Sequence, residues 1–240
     1  MRDVIAELAP TGVLRAGINL GNFLLVTGRT ETGDPDGVSP DLARAIGARL
    51  GVPVQLVPYA RPGELADAVG TGAWDIGLIG AEPQRAETIA FTAAYAEIEA
   101  TYLVPPGSHI TSMAAVDHAG VTIASTSRAA YDLWLERNIR HATVVRTDSI
   151  DSAFQRFVDD RLDVLAGLRP RLLRDAGALP GARILEGQFM AVQQAVGTAK
   201  GKTAGAKFLR DFVEEAKASG LVASLIKRHR VAGLSVAPAA

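Results

Sequence analysis

Arg85 is the side chain whose position best predicts chemistry. It follows an apolar run over 75–79, which predicts a strand, by the short turn Gly80-Ala-Glu-Pro-Gln. Such a run is typical of a strand buried on both faces of a parallel sheet. Open α/β sheets bind ligands at the carboxyl ends of their strands, where a fixed guanidinium can hold a carboxylate by two parallel hydrogen bonds. On the residues alone, an exposed arginine at a helix start explains the pattern equally well.

A second candidate site is the run Ser125-Thr-Ser-Arg128, which lies between a predicted strand over 121–125 and a predicted helix over 129–137. Hydroxyls and free amides at a helix start favour an anion. The alternative is simple N-capping by Ser127, and the two interpretations are compatible. Tyr59, in a strand-end loop beside Arg61, is a candidate platform for stacking on a ligand.

Several chemistries are disfavoured or excluded. The run Gly197-Thr-Ala-Lys-Gly-Lys-Thr203 has three residues between its glycines where a phosphate loop needs four. The four histidines form no metal-binding pattern, and without cysteine neither a thiolate nucleophile nor a cysteine zinc site is available. Because 25 basic residues face 26 acidic ones, no net field favours nucleic acid. We therefore expect no cofactor, no metal and no nucleic-acid partner.

Short β-rich runs alternate with helical patterns, which predicts an α/β fold with mainly parallel strands. After Pro105-Pro106-Gly107 the alternation begins again, and this restart near the middle of 240 residues predicts a second lobe. The predicted strands are 13–18, 54–57, 75–79, 101–104, 121–125, 143–146, 164–167 and 191–197. The predicted helices are 41–50, 62–69, 129–137, 149–159, 207–217 and 221–229. We predict a discontinuous first lobe over 1–103 and 190–240, and a second lobe over 104–189.

The amino terminus carries Asp3 and Glu7 where a signal peptide needs an apolar core. The longest uncharged stretch, 100–116, contains two prolines and is shorter than the ~20 apolar residues that a membrane helix needs. We expect no membrane insertion. The protein would act in the periplasm if an export signal has been removed, and in the cytoplasm otherwise.

Four segments together resemble the extracytoplasmic solute-binding proteins of ABC transporters, of the polar-amino-acid type. They are Gly37-Val-Ser-Pro-Asp-Leu-Ala-Arg-Ala-Ile46, the stretch 65–79 with Gly-Ala-Trp-Asp-Ile, Pro83-Gln-Arg-Ala-Glu-Thr-Ile-Ala-Phe-Thr92, and Leu162-Asp-Val-Leu-Ala. The resemblance extends over about 12–231. It implies the type II periplasmic-binding-protein fold, in which two lobes with mainly parallel sheets are joined by a two-strand hinge and close over a small ligand. It also implies a monomer, an ABC permease as partner, and Arg85 as the carboxylate-binding residue.

The sequence departs from the family pattern at several positions, and the resemblance implies that the two acidic ones hold an ammonium group. Gly80 replaces a Ser or Thr hydroxyl, Asn19 replaces an acidic residue, and Leu168 replaces a second acid. The second-lobe turn, usually Gly followed by Ser or Thr, is Arg128-Ala129. A buried ammonium without these anions would cost several kcal/mol.

We therefore expect the ligand to be a small carboxylate or another polar anionic metabolite. Arg85 and Arg128 would bind it, with Asn19 and Ser127 as neutral partners. Glu97 and Gln193 lie near the predicted crossovers between lobes and could supply further acceptors. If Glu97 faces the ligand, an amine-bearing ligand becomes compatible again.

Two other functions stay open at this point. The same scaffold hosts a dehydratase of the cyclohexadienyl and arogenate type, for which Glu97 or Glu82 could serve as general acid. No pair of acid and base stands out, however, so we favour binding over catalysis. The third alternative is a cytosolic ligand-sensing module.

Overall fold

Two long strands connect the two halves of the molecule. The computed structural model describes residues 1–240. It divides into one unit formed by Met1–Glu97 with Gln193–Ala240, and a second formed by Ile98–Val192. The chain passes from one unit to the other within β6 (Ile89–Val104) and returns within β11 (Met190–Ala199).

In the first unit, three short strands pair in parallel: β1 (Leu14–Asn19), β4 (Val54–Tyr59) and β5 (Ile76–Gly80). The strand order is β4-β1-β5-β11, with β11 antiparallel to β5. Because the three parallel strands point the same way, their carboxyl ends meet at one edge of the sheet. The residues at that edge are Tyr59, Asn19 and Gly80.

Five helices and three short strands complete this unit. The helices are α1 (Arg2–Leu8), α2 (Val38–Leu50), α3 (Pro62–Asp67), α7 (Thr203–Ala218) and α8 (Leu221–Arg228). A hairpin of β2 (Gly28–Arg29) and β3 (Pro35–Asp36) precedes α2, and β12 (Ser235–Val236) pairs with β6.

The indole of Trp74 packs directly on the sheet of the first unit. Gly17 and Gly77 are neighbours on β1 and β5, and a Cβ on either would come within 3.4 Å of the indole. The indole Nε1 donates to the backbone oxygen of Leu65 at 3.0 Å, which satisfies its one polar atom. The two glycines therefore leave the space that lets a large aromatic close the core beside β5.

The second unit has a parallel arrangement of its own. β7 (Thr122–Thr126) lies between β8 (Thr143–Thr147) and β9 (Val164–Leu168), and β9 pairs with the second half of β6. β10 (Arg183–Ile184) also pairs with β6. The helices are α4 (Ala130–Asn138), α5 (Ile150–Asp159) and α6 (Arg169–Ala178). The core cluster consists of Leu103, Ala124, Ala153, Phe157, Leu162, Leu165 and Leu172.

The structure confirms the α/β class with mainly parallel strands. The predicted strands all occur, but β6 begins at Ile89 rather than at residue 101. Helices α1 and α6 were not predicted, and α7 begins four residues earlier than predicted. None of the helices is both long and apolar enough to cross a bilayer.

Candidate functional site

The strand-end edge of the first unit carries a buried guanidinium. Arg85 begins a short 3₁₀ turn after β5, and its Nη1 donates to the backbone oxygen of Gly80 at 2.7 Å. The residue is only 6% exposed, so the alternative of a solvent-exposed arginine is wrong. Gly80 is itself fixed by pairing with Gln194 on β11. The fork of guanidinium donors therefore lies at the carboxyl end of β5, as an anion-binding site requires.

Asn19 and Tyr59 lie opposite each other on the neighbouring strand ends. The Oδ1 of Asn19 accepts a hydrogen bond from the backbone N–H of Gly21 at 3.0 Å, so its oxygen is used to turn the chain. The remaining polar part of this side chain is its amide N–H₂, which suits an acceptor such as a carboxylate. Burial raises the pKa of Tyr59 above the ordinary value of a tyrosine, so its hydroxyl is neutral at physiological pH with or without this shift.

Glu82 is a buried acid beside Arg85, and the sequence did not predict its burial. It is only 4% exposed and lies three residues before Arg85, in the turn that follows β5. Its backbone oxygen accepts from the N–H of Ala86 at 2.9 Å, which closes one helical turn that contains both charged residues. A carboxylate directly after a buried parallel strand was the available signal, but an acid in a turn is usually exposed.

Two residues predicted near the crossovers have different surroundings. The backbone oxygen of Gln193 accepts from the N–H of Ala81 at 2.7 Å, which places this residue beside the end of β5. Glu97 is half-buried within β6, where it pairs across from Ser235 of β12. Gln193 therefore adjoins the Arg85 turn, whereas the described neighbour of Glu97 is the carboxyl-terminal strand.

In the second unit, the loop after β7 is built differently from the prediction. α4 begins at Ala130 after Ala129, and no side chain caps it, so the prediction of N-capping by Ser127 is wrong. The side chain of Asp132 instead reaches back and accepts from the N–H of Arg128 at 3.0 Å. The backbone N–H of Ser127 donates to the oxygen of Thr147 on β8. The carboxylate of Asp132, rather than the hydroxyl of Ser127, is therefore the side-chain acceptor for this loop.

Arg128 is exposed and has a φ of 60°, in the left-handed region that favours glycine. The Asp132 carboxylate that holds its N–H also accepts from Arg146 Nε at 3.0 Å. Arg161 and Arg230 have similar φ values of 53°, so this conformation does not by itself mark a functional site. At the end of the adjacent strand β9, Leu168 is buried and α6 follows at once, so this strand end is apolar.

A group of metal-type ligands elsewhere in the first unit is explained by ion pairing. Oxygen and nitrogen atoms of Asp36, Asp41 and His229 lie within 4.8 Å of one another. Asp41, however, contacts His229 Nε2 at 2.8 Å, Arg44 at 2.9 Å and Arg228 at 3.2 Å. Two arginines already neutralise Asp41, so we interpret the cluster as a connection between α2 and the end of α8.

Comparison with known proteins agrees with this architecture. The sequence profile described as bacterial extracellular solute-binding proteins, family 3, matches residues 21–231. Among curated protein sequences, none matches the chain significantly.

Solved structures match over almost the whole chain. A variant of ArgBP from T. maritima is 22% identical with a TM-score of 0.75, and the match covers 95% of this chain and 99% of that one. A putative ABC-transporter binding component from Wolinella succinogenes, complexed with lysine, is 21% identical with a TM-score of 0.74 over 91% and 95%. An ancestral amino acid-binding protein described as a precursor of cyclohexadienyl dehydratase is 21% identical with a TM-score of 0.75 over 93% and 97%. These likenesses establish the two-lobe periplasmic-binding-protein fold.

Proposed function

Because the chain belongs to the bacterial extracellular solute-binding proteins of family 3, we propose that Arg85 binds the carboxylate of an amino-acid-like solute at the strand-end edge of the first unit. The family makes the protein a solute-binding component of ABC-type uptake. The residues that do the binding are the part that we infer from the geometry.

One observation carries the proposal: the guanidinium of Arg85 is buried and fixed to Gly80 at the carboxyl end of β5. A guanidinium that is already positioned loses little side-chain entropy when a ligand binds. The amide of Asn19 adds a neutral donor at the same edge, and the side chain of Tyr59 packs against the apolar cluster of Leu65, Trp74, Ile79 and Ile89. The Arg85 side of this edge therefore favours a carboxylate.

We also propose a role in binding for the loop after β7 in the second unit. Arg128 adds a cation after β7 that, unlike Arg85, is exposed, and Asp132 accepts from its backbone N–H. We propose that the side chains of Arg128 and Ser127 contribute to solute binding, which follows from the family resemblance of this strand–helix turn. Gln193, which bonds to the Arg85 turn, is the candidate for a contact from β11.

Calorimetric titration with the standard L-amino acids, dicarboxylates and keto acids tests the proposal. Arg85→Ala should weaken the bound solute by about 2–5 kcal/mol, because a buried charge-assisted pair is truncated. Arg210→Ala removes an exposed arginine of the same unit and should leave affinity unchanged. Equal affinities of the wild type and Arg85→Ala would remove Arg85 from the site.

Binding is favoured over catalysis. The relatives named above are binding proteins, and the one that precedes a dehydratase is itself described as amino acid-binding. Incubation with prephenate or arogenate should therefore leave the substrate unchanged.

We propose further that the protein acts in the periplasm and delivers its solute to an ABC permease. The family to which it belongs is extracytoplasmic, which supports this placement. Fractionation of cells that produce the natural protein should recover it outside the cytoplasmic membrane, and recovery in the cytoplasm would favour the sensing alternative.

A further inference from the structure

We propose that Glu82 supplies the negative partner for an α-ammonium group, so that the solute is a zwitterion with both a carboxylate and an amine. This inference rests on the proposed function of Arg85. It replaces the expectation, drawn from Asn19 and Leu168, of a ligand without an amino group.

The placement of Glu82 matches the shape of an α-amino acid. In such a molecule the carboxylate and the ammonium are attached to one carbon, so their protein partners must lie close together. Glu82 and Arg85 are three residues apart in a single helical turn, and side chains at this spacing are neighbours. Both residues are more than nine-tenths buried at the end of β5.

The charge at this edge also points to Glu82. The last residues of the three parallel strands and the loops after them are Asn19-Leu-Gly-Asn22, Tyr59-Ala-Arg61 and Gly80-Ala-Glu-Pro-Gln-Arg85, and Glu82 is the one acid among them. The oxygen of Asn19 is already bonded to Gly21. Among these residues, Glu82 is therefore the one anion with which a solute ammonium at this edge can pair.

Burial of a carboxylate is costly unless a positive group or several hydrogen bonds compensate it. The alternative is that an arginine of the protein, and not the solute, compensates the charge of Glu82. In that case it would influence folding and the orientation of Arg85, but it would not discriminate ligands by their amino group. The two roles therefore differ in a measurable way.

The test compares each amino acid that binds with the acid that lacks its α-amino group. Suitable pairs are L-arginine with δ-guanidinovalerate, L-lysine with ε-aminocaproate and L-leucine with isocaproate. Affinities are measured by calorimetry for the wild type, Glu82→Gln and Arg85→Gln. Glu87→Gln is the matched control, because Glu87 is an exposed acid in the same turn.

We expect the wild type and Glu87→Gln to prefer the amino acid over its deaminated partner by at least tenfold. Glu82→Gln should lose most of this preference, whereas Arg85→Gln should weaken both members of the pair. The preference is a ratio measured on one protein, so a partial loss of folded protein does not change it. Glu82→Asp, which keeps the charge, should retain part of the preference.

Two results would overturn the inference and leave the proposed function standing. One is an undiminished preference in Glu82→Gln while Arg85→Gln loses binding. The other is a wild type that binds dicarboxylates or keto acids but no amino acid. If Arg85→Gln binds every solute as the wild type does, the proposed function fails, and this inference fails with it.

Discussion

Asp117 shows how a single carboxylate can organise a loop. It accepts hydrogen bonds from the consecutive backbone N–H groups of Arg140, His141 and Ala142, at 2.7–3.1 Å. Partial burial opposes ionisation, but the three donors outweigh it and lower the pKa of Asp117 below its ordinary value. The folded state therefore binds this proton less readily than the unfolded state does.

The stabilisation by Asp117 should consequently depend on pH. It is fully present above the ordinary carboxyl pKa and is lost as the pH falls through the lowered value. We expect Asp117→Ala to lower the free energy of unfolding by about 1–3 kcal/mol at neutral pH, because three donors lose a charged acceptor. Urea unfolding from neutral to acidic pH measures this, with the exposed Glu136→Ala as control. A deficit that stays constant down to the lowest pH would contradict the assignment.

At individual positions, the sequence predicts a residue's role where the residues next to it in the chain determine its placement. An apolar run followed by a short turn was sufficient to place Arg85 at a strand end. The same rules mispredicted the cap of α4. No side chain caps this helix, and only the folded turn shows that the carboxylate of Asp132 accepts from the N–H of Arg128. Glu82 was undervalued because the burial of an acid depends on the packing around its turn, which no local pattern reports.

At the scale of elements, α6 was missed because its sequence shows no clear apolar stripe, and its packing and ion pairs appear only in the folded chain. Its run Arg169-Pro-Arg-Leu-Leu-Arg is polar, with no clear apolar stripe. Arg171, which is buried, contacts Asp175 of the same helix at 2.8 Å and Asp151 of α5 at 2.7 Å. For β6 the reason is similar: the Ala-rich segment after Ile89 has weak strand propensity, and its pairing with other strands makes it extended.

The Arg171–Asp175 pair gives a test of this explanation. Burial raises the pKa of Asp175, although Arg171 partly opposes the effect. Arg171→Met should destabilise the protein by about 3–5 kcal/mol, because it removes the main partner of a buried carboxylate. The double variant Arg171→Met with Asp175→Leu should recover most of that loss, since neither charge then remains.

Denaturant unfolding of the three proteins measures the effect. Leu173→Ala, which truncates an exposed side chain on the same helix, should change stability by only about 0.5 kcal/mol or less. If the double variant is as unstable as Arg171→Met alone, the loss comes from side-chain packing and not from the unpaired charge of Asp175.

At the scale of the whole molecule, the restart of the strand–helix alternation predicts a second lobe but places its limits imprecisely. The predicted second lobe covers 104–189, whereas the second unit is Ile98–Val192. The boundaries fall inside β6 and β11, and both strands continue from one unit into the other. A strand shared by two units has no break in pattern at the boundary, so only the pairing partners of each residue reveal it.

We expect residues 98–192 alone to fold cooperatively, because this segment is continuous and contains its own hydrophobic cluster. The shorter segment 104–189 should be much less stable. It lacks the β6 residues that pair with β9, namely Ala100, Thr101, Tyr102 and Leu103. It also loses Leu103 from the core cluster, and truncation of a buried leucine costs about 2–5 kcal/mol. Circular dichroism and urea unfolding of the two fragments measure the difference, and equal stability would show that pairing between β6 and β9 does not define the second unit.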